Sequence, residues 1–112
     1  MNPVNLVRAA VRRDDLAARQ FVKDAKRTGF DWSNVPAPTF PQARLRAVYA
    51  GFVEMFTERN GQAPPAWTKD VLASPKPVFL SSRKRRRTVE KAPNATLKNR
   101  NVFAHAEYLD VL

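Results

Sequence analysis

The chain has 112 residues, 20 Lys and Arg against 10 Asp and Glu, a formal net charge of +10, one histidine and no cysteine. That length holds at most one domain, the lack of cysteine excludes disulfides and thiolate metal sites, and one imidazole falls short of the three or four ligands that a zinc site takes. No apolar run approaches the roughly 20 residues that span a bilayer, and Arg8, Arg12 and Arg13 interrupt any leader-like stretch at the N-terminus, so the expectation is a soluble, cytoplasmic protein with no cofactor, no metal and no membrane partner.

Asn2-Pro3 reads as a helix start, with Asn at the N-cap and Pro at the first helical position. Val7, Ala10, Val11, Ala17, Ala18, Phe21, Val22 and Ala25 follow at helical spacing. Asp14-Asp15 leaves two alternatives: one helix running through, or a second helix capped by Asp14 and reaching about Thr28, where Gly29 is the natural stop. A split there has the connectivity of a helix-turn-helix, although no turn glycine marks the joint and no third helix follows directly. Phe30 to Phe40 is a loop whose three aromatics are expected to fold back over the helices. Thr39-Phe40-Pro41-Gln42 has the form of a capping box and predicts a helix to Asn60, ended by Gly61. Its apolar stripe is Leu45, Val48, Tyr49, Phe52, Met55 and Phe56, with Arg44, Arg46, Glu54, Glu58 and Arg59 on the other side.

Beyond Gly61 the pattern changes. Ala63-Pro64-Pro65 is a stiff linker, and Trp67-Thr68 opens a short turn that Pro75 and Pro77 end. Val78-Phe79-Leu80 is a short apolar patch. Pro93 to Arg100 has room for one or two helical turns, Val102-Phe103 is a second small anchor, and Glu107 to Leu112 forms a last turn. The predicted fold is therefore mainly α: a helical unit over residues 1–61, then an extended, proline-rich segment over 62–112 with short helical turns and a basic loop at 81–92. Apolar anchors strung on polar linkers suit a segment that binds a partner.

Charge is concentrated late. Ser81 to Arg100 carries eight cations and one acid, and Arg83, Lys84, Arg85, Arg86 and Arg87 are consecutive. Such a run persists only in solvent or against an anion. It leaves three readings open: a solvated loop, a nucleic-acid backbone contact, or an acidic protein face. No aromatic is interleaved with it, so base stacking is not implied. Catalysis has little support. His105 has acids nearby in sequence and three serines upstream, but a triad is a matter of geometry, and Gly29, Gly51 and Gly61 are too scattered for a phosphate loop. Phe21, Phe52 and Phe56 at helical spacing read as core, whereas Trp67 and Phe79 either close over the helical unit or insert into a partner.

Three short motifs occur in order: Pro65-Ala66-Trp67, Pro77-Val78-Phe79 and Arg100-Asn101-Val102-Phe103. With the helix Leu45 to Phe56 before them, this order resembles small bacterial proteins that look like the antitoxin partners of nucleotidyltransferase-like toxins of the AbiEii type. The resemblance covers about residues 40–112, and the basic stretch 81–92 departs from it. It implies a non-enzymatic antitoxin that binds and neutralises a toxin of that type, with Trp67, Phe79, Arg100, Asn101 and Phe103 at the interface. The alternative is a small basic protein that contacts DNA or RNA through residues 83–87.

Overall fold

Asn2 and Pro3 open the first helix by local chemistry. The Asn2 side chain accepts the Val4 amide at 3.0 Å, and Pro3 occupies a first-turn position where an N–H would have no partner. The computed structural model describes residues 1–80, 89 and 91–110, and within them the chain is mainly α. Helix α1 (Pro3–Val11) and helix α2 (Asp15–Thr28) are separate. Arg12 and Arg13 turn the chain, with Arg13 in the left-handed region at φ 59°. Asp14 then caps α2 by accepting the Ala17 amide at 3.1 Å. Gly29, at φ 68°, closes α2, in a conformation that glycine takes without a Cβ penalty.

The loop aromatics fold back as expected. Trp32, in the 3-10 turn Trp32–Asn34, is buried and stacks on Phe56 at 4.5 Å, and Phe30 meets it edge-on at 4.9 Å. Helix α3 (Ala43–Arg59) starts later than the capping box predicted. Gln42 holds the cap position without a side-chain bond. Phe40 precedes Pro41, whose ring disfavours helical backbone in the residue before it, so the helix begins beyond that pair. Arg46 donates to the Phe40 and Pro41 carbonyls at 2.8 and 2.7 Å instead.

Helix α3 buries more than one stripe: every residue from Ala47 to Val53, and Met55 to Thr57, is out of solvent. The cause is that α1, the Trp32 turn and the second half of the chain each cover a different side of it. In that second half, a 3-10 turn (Ala66–Asp70) leads to strand β1 (Val78–Phe79), and the four-residue helix α4 (Ala95–Lys98) leads to strand β2 (Val102–Phe103). The strands pair in parallel, Val78 opposite Val102 and Phe79 opposite Phe103. The Val78 amide donates to the Asn101 carbonyl and the Leu80 amide to the Phe103 carbonyl, both at 3.0 Å. Asn94 caps α4 at the Leu97 amide and reaches the Ala106 carbonyl at 3.1 Å.

Val78, Leu80, Leu97, Val102, Ala104, Tyr108 and Leu109 belong to the same buried cluster as Leu6, Val22 and Phe52. Residues 62–80 and 91–110 therefore share one core with residues 1–61, and the radius of gyration, 12.9 Å, is that of a single domain of this length (about 13 Å). The reason is composition: each anchor is too small to bury its own apolar area, but α3 offers uncovered sides on which all of them lose water together.

Gly51 sets how closely the second half approaches α3. A Cβ there would lie 2.9 Å from Leu97 Cδ2 and 3.6 Å from Arg100 Cγ. Gly51→Val should overpack this contact and destabilise the protein by about 1–3 kcal/mol, read as a lower urea midpoint at unchanged slope; an unchanged midpoint would show that the approach is loose.

Candidate partner-binding face

The motifs that stand apart in the sequence converge in the structure. Arg100 is their centre and is 8% exposed. Its Nε donates to Glu54 Oε1 on α3 at 2.6 Å, and its two terminal nitrogens donate to the carbonyls of Val71 and Thr68. A buried guanidinium is tolerated only when paired and hydrogen-bonded, and here all three nitrogens are engaged. One side chain thus ties α4 to α3 and to the turn Ala66–Asp70. Asn101 follows at φ 60° and donates to the Ser74 carbonyl at 3.0 Å, while the Ser74 amide returns a bond to the Arg100 carbonyl at 2.9 Å. Trp67 is half-buried; its Nε1 donates to the Val35 carbonyl at 2.9 Å and its ring tilts against Tyr49 at 5.6 Å.

Of the five residues expected at an interface, then, Arg100 and Asn101 hold the fold from inside, and Trp67 spans the two halves. Phe79 and Phe103 differ. Alternation along β1 and β2 turns Val78 and Val102 inward and leaves both phenylalanines half-buried. Their rings stack at 5.2 Å with planes 22° apart. This pair is the aromatic surface that the three motifs assemble. Arg83, Lys84, Arg85, Arg86 and Arg87 lie outside the described residues.

The partners of Arg100 were missed in the sequence. Glu54 read as helix decoration, and Thr68 as the cap of a short turn. One signal was present: an isolated glycine inside a helical pattern, Gly51, commonly marks a close packing contact.

His105 is exposed, meets Tyr108 edge-on at 5.9 Å and bridges to Pro93. No three His, Cys, Asp or Glu side chains gather as metal ligands among the described residues, and no helix there is long and apolar enough to cross a membrane. A concavity of about 710 Å³ opens beside Trp32 and Phe56, with Lys26, Arg59, Asp31 and Asp110 on its rim. Its rim carries charges of both signs, and those two rings face each other.

Tyr108 is a buried phenol stacked on Phe52 at 6.1 Å, and its hydroxyl has no hydrogen-bond partner among the described residues. Burial, and then the negative charge of Asp15, push its pKa well above the ordinary tyrosine range. Compared with protein-family models, curated proteins and solved structures, the chain matches none.

Two outcomes test this arrangement. Arg100→Met should destabilise the protein by about 3–5 kcal/mol, because it strands Glu54 and two carbonyls; a loss below about 1 kcal/mol in urea denaturation would contradict the clamp. Because the folded pKa of Tyr108 lies above the unfolded value near 10, its contribution is complete below about pH 10 and is lost as pH rises beyond it. Tyr108→Phe should therefore leave stability at pH 7 equal or higher and lessen the fall in Tm above about pH 10; an equally steep fall would show that the phenol is not buried.

Proposed function

We propose that this chain is a non-enzymatic binding protein, an antitoxin that engages and neutralises a nucleotidyltransferase-like toxin of the AbiEii type. The observation that carries the reading is the ordered set Pro65-Ala66-Trp67, Pro77-Val78-Phe79 and Arg100-Asn101-Val102-Phe103, whose members meet around Arg100 and present the stacked Phe79–Phe103 pair. Aromatic side chains set on a rigid support are typical interface anchors. Parallel strands fix the backbone of both phenylalanines, so little ordering entropy is left to be lost on binding.

Under this reading Phe79 and Phe103 touch the toxin, while Arg100 and Asn101 act through the fold by holding β2 in register with β1. Trp67 contributes whatever part of its ring the Val35 bond and Tyr49 leave accessible. The cations Arg83 to Arg87 meet negative charge on the toxin, such as the carboxylates that bind its metal ions, which offsets the repulsion between a chain of net charge +10 and a positively charged tRNA-binding surface.

The test is co-expression with the nucleotidyltransferase-like protein encoded in the neighbouring reading frame. The two should co-purify, and growth arrest by the toxin should be relieved. Phe103→Ala and Phe79→Ala should each weaken the complex by more than ~2 kcal/mol with the fold retained by circular dichroism. Absence of a complex with the unaltered chain would sink the antitoxin reading, and full binding by both variants would sink the assignment of the face.

A further inference from the structure

Helix α2 packs through Ala18, Val22 and Ala25 and turns its opposite side to solvent. At 3.6 residues per turn, Leu16, Lys23 and Arg27 fall on one line facing away from that core. Gln20 lies beside the line, and Arg19 and Lys26 lie along one flank; all six are exposed. Arg12 and Arg13, also exposed, lie in the turn that precedes the helix. Against the cations Arg12, Arg13, Arg19, Lys23 and Arg27, the helix and its cap supply the acids Asp14, Asp15 and Asp24. Asp14 is engaged as the cap of α2, Asp15 stands beside it in the first turn, and Asp24 bonds Arg27 at 3.2 Å and Gln20 at 3.0 Å.

We propose that this face of α2 is a contact surface for the phosphate backbone of double-stranded nucleic acid. Arg19, Lys23 and Arg27 are spaced i, i+4 and i+8, the arrangement in which like charges oppose a helix, and an anion lying along the row removes that opposition. The row's chemistry separates a phosphate backbone from an acidic protein. Protein interfaces are anchored by a desolvated aromatic or apolar centre, whereas this row holds cations, one amide, a single leucine at its end and the carboxylate of Asp24 bonded to Arg27 and Gln20. Without an aromatic it has no platform for unpaired bases, which favours duplex over single strand. Connectivity agrees: α1 and α2 are joined by the three residues Arg12 to Asp14, and in a helix-turn-helix the second helix lies against the duplex. This surface is distinct from the Phe79–Phe103 pair and does not depend on the toxin reading.

The experiment is fluorescence anisotropy of the full chain with a labelled mixed-sequence duplex, over roughly 50 to 200 mM salt. The unaltered chain should bind, with log affinity falling linearly against log salt. The variant Arg19→Gln, Lys23→Gln, Arg27→Gln should weaken binding at low salt by about tenfold or more and flatten the slope by about 2–3, at roughly 0.9 per neutralised cation. Its circular dichroism melt should not fall, because all three side chains are exposed, the like-charge repulsion is removed and the exposed Arg27–Asp24 pair that is lost contributes little. Leu16→Ala should leave the affinity within about twofold, as a purely phosphate contact requires. Three results would overturn the proposal: no duplex binding at low salt, a loss confined to the variant Arg83→Gln, Arg85→Gln, Arg86→Gln, or poly-glutamate binding the α2 face as tightly as the duplex.

Discussion

The described residues C-terminal to Gly61 are organised around one buried guanidinium. Arg100 reaches back from the end of α4 to Glu54 on α3 and to the carbonyls of Thr68 and Val71, and Asn94 at the start of α4 adds bonds to Met55 on α3 and to the Ala106 carbonyl. The surroundings of Arg100 carry a steric condition, because a Cβ at residue 51 would lie 2.9 Å from Leu97 Cδ2 on α4, so that something there must shift. The guanidinium clamp also has a backbone consequence. With Arg100 fixed, Asn101 turns through the left-handed region, bonds Ser74, and delivers Val102 opposite Val78. Pairing offsets the desolvation cost without making the clamp stabilising relative to apolar residues in place of both Arg100 and Glu54; what it confers is register, since the geometry of three hydrogen bonds admits one placement of α4.

That constraint divides the molecule's unusual residues into two groups. Arg100, Asn101, Ser74, Thr68 and Glu54 are occupied with one another and form the frame. Phe79 and Phe103 ride on the frame as a half-buried aromatic pair, and α2 carries its cations on the side away from the core. The frame is thus a means of presenting two chemically different surfaces, one aromatic and one cationic. The proposed toxin contact and the proposed nucleic-acid contact use them separately, so neither surface has to satisfy both partners.

Local chemistry was legible in the sequence where it is local in space. The Asn2 cap, the Asp14 cap and the Gly29 stop are each settled within four residues, and the stripe on α3 follows from helical period alone. The Thr39–Gln42 box failed for an equally local reason that was present but unweighed, the restriction that Pro41 places on Phe40. The second half was not legible in the same way. Two strands of two residues carry no readable period, and the bonds of Arg100 span 29 to 46 residues of sequence, which no spacing rule reaches. Trp67, Phe79, Arg100, Asn101 and Phe103 could be picked out by the order of their motifs, but whether each faced inward or outward depended on the sides of α3 left open by α1 and by the Trp32 turn. The cations on α2 passed unnoticed beside the more conspicuous run at 83–87, because a row at helical spacing shows itself only once the helix is bounded.

The central claim is that residues 62–80 and 91–110 fold onto α3 in the isolated chain and do not wait for a partner. Native-state hydrogen exchange of the unaltered protein tests it most directly. The amides of Ser74, Val78, Leu80 and Asn94 all donate to backbone carbonyls across the second half, and they should exchange slowly, within the range shown by the amides of α3. Exchange of those four at the rate of an unstructured chain, with α1 to α3 still protected, would contradict the account and return the second half to an extended thread.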